Sequence, residues 1–193
     1  MKNWVKTILN VYRYLERVSN AIDKIVDSRA INSFYTSGSN LSFNDISNVS
    51  NDIICLTERK VKLINLKIIV EKGLENTNEQ LVKYLILNFI EKRTCFDCAK
   101  ILNVSLRTYF RKLNLALGSF EKALLRQGYD KSYFDEMLKK ESWIMEVKNS
   151  IEKKNTEIFE INNKIAKKIC LDYKNNNYAH KRVSPQVHNS LTF

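Results

Sequence analysis

One proline and four glycines in 193 residues leave little punctuation for the many turns a sheet protein needs, so the chain reads as helical. No run approaches the ~20 consecutive apolar residues of a membrane span. The first residues, MKNWVKTILNVYRYLERV, scatter charges through their apolar positions and lack the uninterrupted core of a signal peptide, so a cytoplasmic protein is expected. Gly-rich phosphate loops, H-E-x-x-H and a nucleophile elbow are all missing, and both histidines, His180 and His188, fall in a polar C-terminal stretch. An enzyme is therefore not expected.

Cysteine is scarce too. Cys95 and Cys98 form a C-x-x-C, but zinc would need two further ligands, and Cys170, His180 and His188 are remote and irregularly spaced. A redox site of thioredoxin type would need a preceding strand. Neither a metal nor any cofactor is expected, and Cys98 reads as a small buried hydrophobe.

What is abundant is positive charge: 32 Lys and Arg against 21 Asp and Glu, net +11, with a pI near 9.4. That balance favours a polyanionic partner, although Lys, Asn and Ile share AT-rich codons. The excess is uneven. Residues 1–75 hold 11 basic and 8 acidic groups, residues 76–129 hold 9 and 4, and residues 130–193 hold 12 and 9. The shortest of the three segments carries the largest surplus.

Within it, TCFDCAKILNVSLRTYFRKLNLAL (residues 94–117) reads as two helices joined by a tight turn. Thr94 can N-cap the first, with Asp97 three positions on to favour the free N–H groups of its first turn. Cys98, Ala99, Ile101 and Leu102 make its apolar face. Asn103 suits the left-handed conformation that ends a helix sharply. Val104 tucks under the turn, and Ser105 caps the second helix. Tyr109, Leu113, Ala116 and Leu117 give that helix one buried side. From Cys98 to Phe120 there are four Lys or Arg residues and no Asp or Glu. Double-stranded DNA would favour that asymmetry, because phosphate neutralisation is the first contribution to affinity.

The segment Leu81 to Leu124 resembles the fourth conserved region of bacterial RNA polymerase sigma factors and the small regulators built on that module. The likeness begins with the leading helix LVKYLILNFIEKR. It continues through T-x-x-D-C-A-x-x-L-N-V-S-x-x-T-Y and the trailing R-K-L-N-L-A-L. Asp97 stands for the usual Glu, Asn103 for Gly, Tyr109 for Val, and Leu115 for an Arg. The resemblance implies a helix-turn-helix with residues 105–117 in the major groove. Helical phase puts Arg107, Arg111 and Asn114 at base edges and Ser105, Thr108, Lys112, Lys100 and Thr94 at phosphates, while Leu106 and Phe110 either touch a thymine methyl at the base edges or face protein. The promoter-melting region of a complete sigma factor is not found in residues 1–75, so a sequence-specific transcription regulator is expected. Two alternatives stay open: a polymerase- or partner-binding protein that makes no DNA contact, and a phage-type packaging or late-gene factor with the same motif.

Upstream, Trp4, Ile8, Val11, Leu15, Val18, Ile22 and Ile25 are spaced 4, 3, 4, 3, 4, 3, a heptad seam. It predicts a helix from about Lys2 to about Ser33. A loop at 36–45 and a second helix from about Asp45 to Leu74, with Val61, Leu63, Ile64, Ile68, Ile69 and Val70 as its apolar content, complete an antiparallel hairpin. The seam either makes this internal core or, with its flank at Tyr12 and Tyr14, pairs with a second copy or with polymerase. GLENTNEQ (73–80) reads as a linker in which Gly73 ends one helix and Thr77 or Asn78 caps the next. Downstream, the basic helix should run to Gln127 and stop at Gly128, with Gly118 able to kink it. Ser132 and Asp135 suggest a cap for a helix burying Phe134 and Leu138, and Trp143, Ile144, Val147 and Ile151 continue an amphipathic helix. The expected architecture is all-α: a hairpin (1–75), a helix-turn-helix module (76–129), helices packing on it (130–172) and a flexible tail (173–193).

Overall fold

The computed structural model describes residues 1–36, 43–157 and 160, and every regular element among them is helical. Met1–Ile151 gather into one unit, and Glu152–Phe193 form a second. The predicted tail (173–193) and the end of the predicted C-terminal helices (158–172, apart from 160) lie outside the described residues, as does the centre of the 36–45 loop. No helix among the described residues is long and apolar enough to cross a membrane.

α1 (Lys2–Thr36) and α2 (Phe43–Glu75) pack together as the long hairpin. Along α1 the seam residues Trp4, Ile8, Val11, Leu15 and Ile22 are buried, facing Leu63, Leu66, Ile69 and Val70 of α2 within one core. The seam is thus internal, which settles where that apolar surface goes. Ile25, its last member, is exposed instead. A straight α-helix drifts ~20° per heptad against a 3.5-residue repeat, enough over three heptads to carry Ile25 off the buried side. Polar ties reinforce the hairpin: Tyr12 Oη donates to Glu71 at 2.8 Å, Lys60 pairs with Asp23 at 2.6 Å, and Lys67 pairs with Glu16 at 3.0 Å. Burial, reinforced by the Glu71 carboxylate, pushes the Tyr12 phenol up to about 12.

α2 does not stop at Gly73. The helix continues to Glu75, and Gly73 is buried inside it. A Cβ there would sit 2.7 Å from Phe120 Cε2 and 3.1 Å from Leu124 Cδ2, so the bare backbone is what lets α2 lie against a helix of the next module. The chain turns only afterwards, with Thr77 Oγ1 donating to the Gly73 carbonyl at 2.7 Å and Asn78 capping the next helix.

α3 (Glu79–Leu85) runs into a wide π turn at Ile86–Ile90. Lys92 then takes φ 58° and breaks the helix before α4 (Cys95–Ile101). α5 (Leu106–Arg126) is one continuous 21-residue helix. The helix runs through Gly118 without a break, and the space around that residue is open. The helix ends at Gly128, φ 83°, with Tyr129 N–H bonded to Leu124 O and Gly128 N–H to Leu125 O, both at 3.0 Å. This is a Schellman stop.

α6 (Lys131–Met137) is capped by Asp130, not by the predicted Ser132–Asp135 arrangement. Asp130 accepts from Tyr133 N–H at 2.8 Å and from the Ser132 hydroxyl at 2.7 Å, contacts that hold its carboxyl below the usual range. Asp135 serves elsewhere: it accepts from Trp4 Nε1 at 2.9 Å and from Lys148 Nζ at 3.3 Å, while Lys148 lies 4.9 Å over the Trp4 ring. Phe134, Leu138 and Ile144 are buried, the last on a helical run over 142–151. Glu141 is almost fully buried. It accepts from Arg59 Nε at 3.0 Å and Trp143 Nε1 at 3.2 Å, so its charge is satisfied.

Candidate nucleic-acid interface

The helix-turn-helix is built by local chemistry. Thr94 caps α4, its hydroxyl oxygen accepting from Asp97 N–H at 3.2 Å and its proton going to the Asp97 carboxylate at 2.7 Å. α4 ends in a second Schellman stop: Asn103 takes φ 51°, Val104 N–H reaches Ala99 O at 3.0 Å and Asn103 N–H reaches Lys100 O at 3.1 Å. Ser105 then caps α5, accepting from Thr108 N–H at 3.2 Å. Each cap is worth about 1 kcal/mol. Together they fix the turn between the two helices at both ends.

Packing holds that geometry. Cys98 and Ala99 of α4 are buried with Tyr109, Leu113, Ala116 and Phe120 of α5 and with Tyr84, Leu85 and Phe89 of the preceding helix. The ring of Tyr109 lies 5.9 Å from that of Tyr84, and its hydroxyl donates to Asn88 Oδ1 at 3.1 Å. Burial, with the Cys98 thiol beside it, raises the Tyr109 pKa well above its ordinary value. The C-x-x-C is divided by the same packing: Cys98 is buried, Cys95 half-buried, and both are free thiols. Among the described residues no cluster of three or more His, Cys, Asp or Glu could hold a metal ion.

The outer side of α5 carries Leu106, Arg107, Phe110, Arg111 and Asn114, all exposed. At roughly 100° per residue these five fall within an arc of about 140°, turned away from Tyr109, Leu113 and Ala116. Leu106 and Phe110, 43% and 48% exposed, lie in the same arc as the two arginines. Thr94, Lys100 and Ser105 are exposed at the edges of the motif, while Thr108 is half-buried. Lys112 is the exception. It is half-buried and sits about 170° around the helix from the centre of that arc. Helical phase thus groups the five base-facing candidates on one side of α5 and leaves Lys112 on another flank, while Thr94 and Lys100 belong to α4 and its cap and Ser105 to the cap of α5. Among the described residues, the side chains of Lys100, Arg107, Arg111 and Lys112 make no hydrogen bond or ion pair.

α4 differs from its predicted apolar face at one position. Ile101 is 53% exposed, and Phe96 is 67% exposed. Cys98, Ala99 and Leu102 set the inward side by their 3–4 spacing, and Phe96 and Ile101 fall outside it. That spacing was the signal in the sequence, obscured there by counting Ile101 as core because it is apolar.

Comparison with known proteins finds no matching family model, no similar curated protein and no similar solved structure. The chemistry of the site thus rests on this chain's own residues.

Proposed function

We propose that this protein is a sequence-specific DNA-binding transcription regulator that presents α5 to the major groove in the manner of sigma region four. One observation carries the reading: Arg107, Arg111 and Asn114 project from a single side of a doubly capped helix, with no ion pair among the described residues and no carboxylate from Cys98 to Phe120 to compete for them. Arg is suited to the O6 and N7 acceptors of guanine and Asn to the N6 and N7 edge of adenine. Leu106 and Phe110 offer apolar contact to a thymine methyl. Lys100, Thr94, Ser105 and Thr108 border the motif, where phosphates run in such a complex. The hydroxyls of Thr94 and Ser105 already serve as caps, which leaves the lysine as the stronger phosphate contact.

A selection from genomic fragments tests the proposal. An enriched site whose recovery depends on Arg107 and Arg111 is expected; recovery of fragments without sequence in common would refute specific reading.

A second reading has its own observation. Phe96, Ile101 and Leu115 are more than half exposed on α4 and α5, a surface suited to a protein partner such as polymerase. Under that reading, neutralising the arginines would leave the transcriptional effect intact, whereas Phe96→Ser would abolish it.

A further inference from the structure

α2 is apolar on two opposite sides. Leu63, Leu66, Ile69 and Val70 face α1, while Ile54, Val61, Ile64 and Ile68 lie on the other side, each 39–55% exposed. The outer residues repeat in sevens: Ile54, Val61 and Ile68 in one row, Thr57 and Ile64 in the other. Ile53, Ile54, Thr57, Glu58, Val61 and Lys62 line a shallow groove of about 420 Å³ there. A helix with an apolar stripe on each side has room for two helical neighbours, and α1 supplies one.

We propose that the second neighbour is α2 of another copy of this chain, packed antiparallel about a two-fold axis level with Lys60. Two features select this occupant. The first is register. With that axis, the partner's Ile68, Ile64, Val61, Thr57 and Ile54 alternate along the seam with Ile54, Thr57, Val61, Ile64 and Ile68 of the first chain. Successive side chains are then offset by roughly 1.5–3 Å at 1.5 Å of rise per residue, so the two rows interdigitate. The second is charge. The same axis sets Glu58 opposite the partner's Lys62, and Lys62 opposite the partner's Glu58. Both side chains lie beside the groove, and neither has an ion pair among the described residues of its own chain. Lys60, nearest the axis, is already paired with Asp23. Of the other exposed residues along this side, Ser50, Asn51 and Asn65 are uncharged, and Lys72 is offset by Glu75 three residues on, so two chains of net +11 meet along a face that adds no net charge. The interface is separate from α5, and the inference stands apart from DNA binding.

Sedimentation equilibrium of the full chain tests it, with circular dichroism to confirm that each variant keeps its helix content. The wild type is expected to be a dimer and the Val61→Asp/Ile64→Asp variant a monomer. Glu58→Lys should weaken the dimer roughly tenfold by setting like charges together, and Glu58→Lys/Lys62→Glu should restore it. A parallel pairing would not be restored by that exchange. Should the double-Asp variant lose its fold, Ile54→Ser provides the same reading. A monomeric wild type, a dimer unaffected by these outer-face changes, or a charge exchange that fails to restore association would each overturn the proposal.

Discussion

α2 and α5 are both long helices with one side in the core, yet they turn opposite chemistries outward. α5 buries Tyr109, Leu113, Ala116 and Phe120 and exposes arginine and asparagine at its start. α2 buries Leu63, Leu66, Ile69 and Val70 and exposes isoleucine and valine. A cationic outer face suits a polyanion and disfavours self-association; an aliphatic one suits a second helix. That difference underlies the two proposals, DNA contact through α5 and self-association through α2, and each substitution below probes one of them.

The largest effects belong to the inner faces. Leu66→Ala on α2 should cost about 2–5 kcal/mol by emptying a fully buried site, whereas Ile54→Ala on the outer side should stay within about 0.5 kcal/mol in dilute solution. Urea unfolding of both variants measures this, and comparable losses would erase the distinction between the faces. Gly73→Ala should cost about 1–3 kcal/mol, because the added methyl meets the Phe120 ring where α2 and α5 touch. A neutral result in the same assay would mean that the ring has room to move.

On the outer side of α5, Arg107→Ala or Arg111→Ala should lose about 1–3 kcal/mol of binding to a preferred duplex and relax the preference at one base. Lys112→Ala should change it little, since that lysine lies off the common arc. Binding isotherms for the three variants, compared side by side, read this directly.

The smallest effect is at high pH. The Tyr12 phenol titrates higher in the folded chain, about 12, than the ordinary 10.0 of the unfolded one. The native state thus holds its proton longer, and the associated stability is complete below pH 10 and lost as pH rises towards 12. Tyr12→Phe should shallow the decline in melting temperature over that window, and an unchanged slope would show that Tyr12 is not its source.

Much of this was legible in the sequence, for local reasons. Thr94, Asn103, Ser105 and Gly128 act on backbone within a few residues, so their roles as cap, turn and stop could be read before any packing was known. The α1 seam was readable because one periodicity dominates it. α2 was not, since two interleaved stripes give an apolar content without saying which residues face inward. Gly73 misled for a related reason. Glycine signals a helix end by its backbone freedom, but here its small size matters, and Phe120 lies 47 positions along the chain. Asp130 caps α6 in place of Ser132 because the helix begins at Lys131, which puts Ser132 inside its first turn, and Asp135 instead holds Trp4 and Lys148.

The central claim, that α5 reads DNA sequence, is tested most directly by titrating a selected duplex and a scrambled one of equal length at several salt concentrations, with the wild type and with Arg107→Ala/Arg111→Ala. The account predicts a clear preference for the selected duplex that the double variant loses while retaining salt-dependent binding to both. Equal, steeply salt-dependent binding of the two duplexes by the wild type would reduce the interaction to phosphate attraction and contradict the claim.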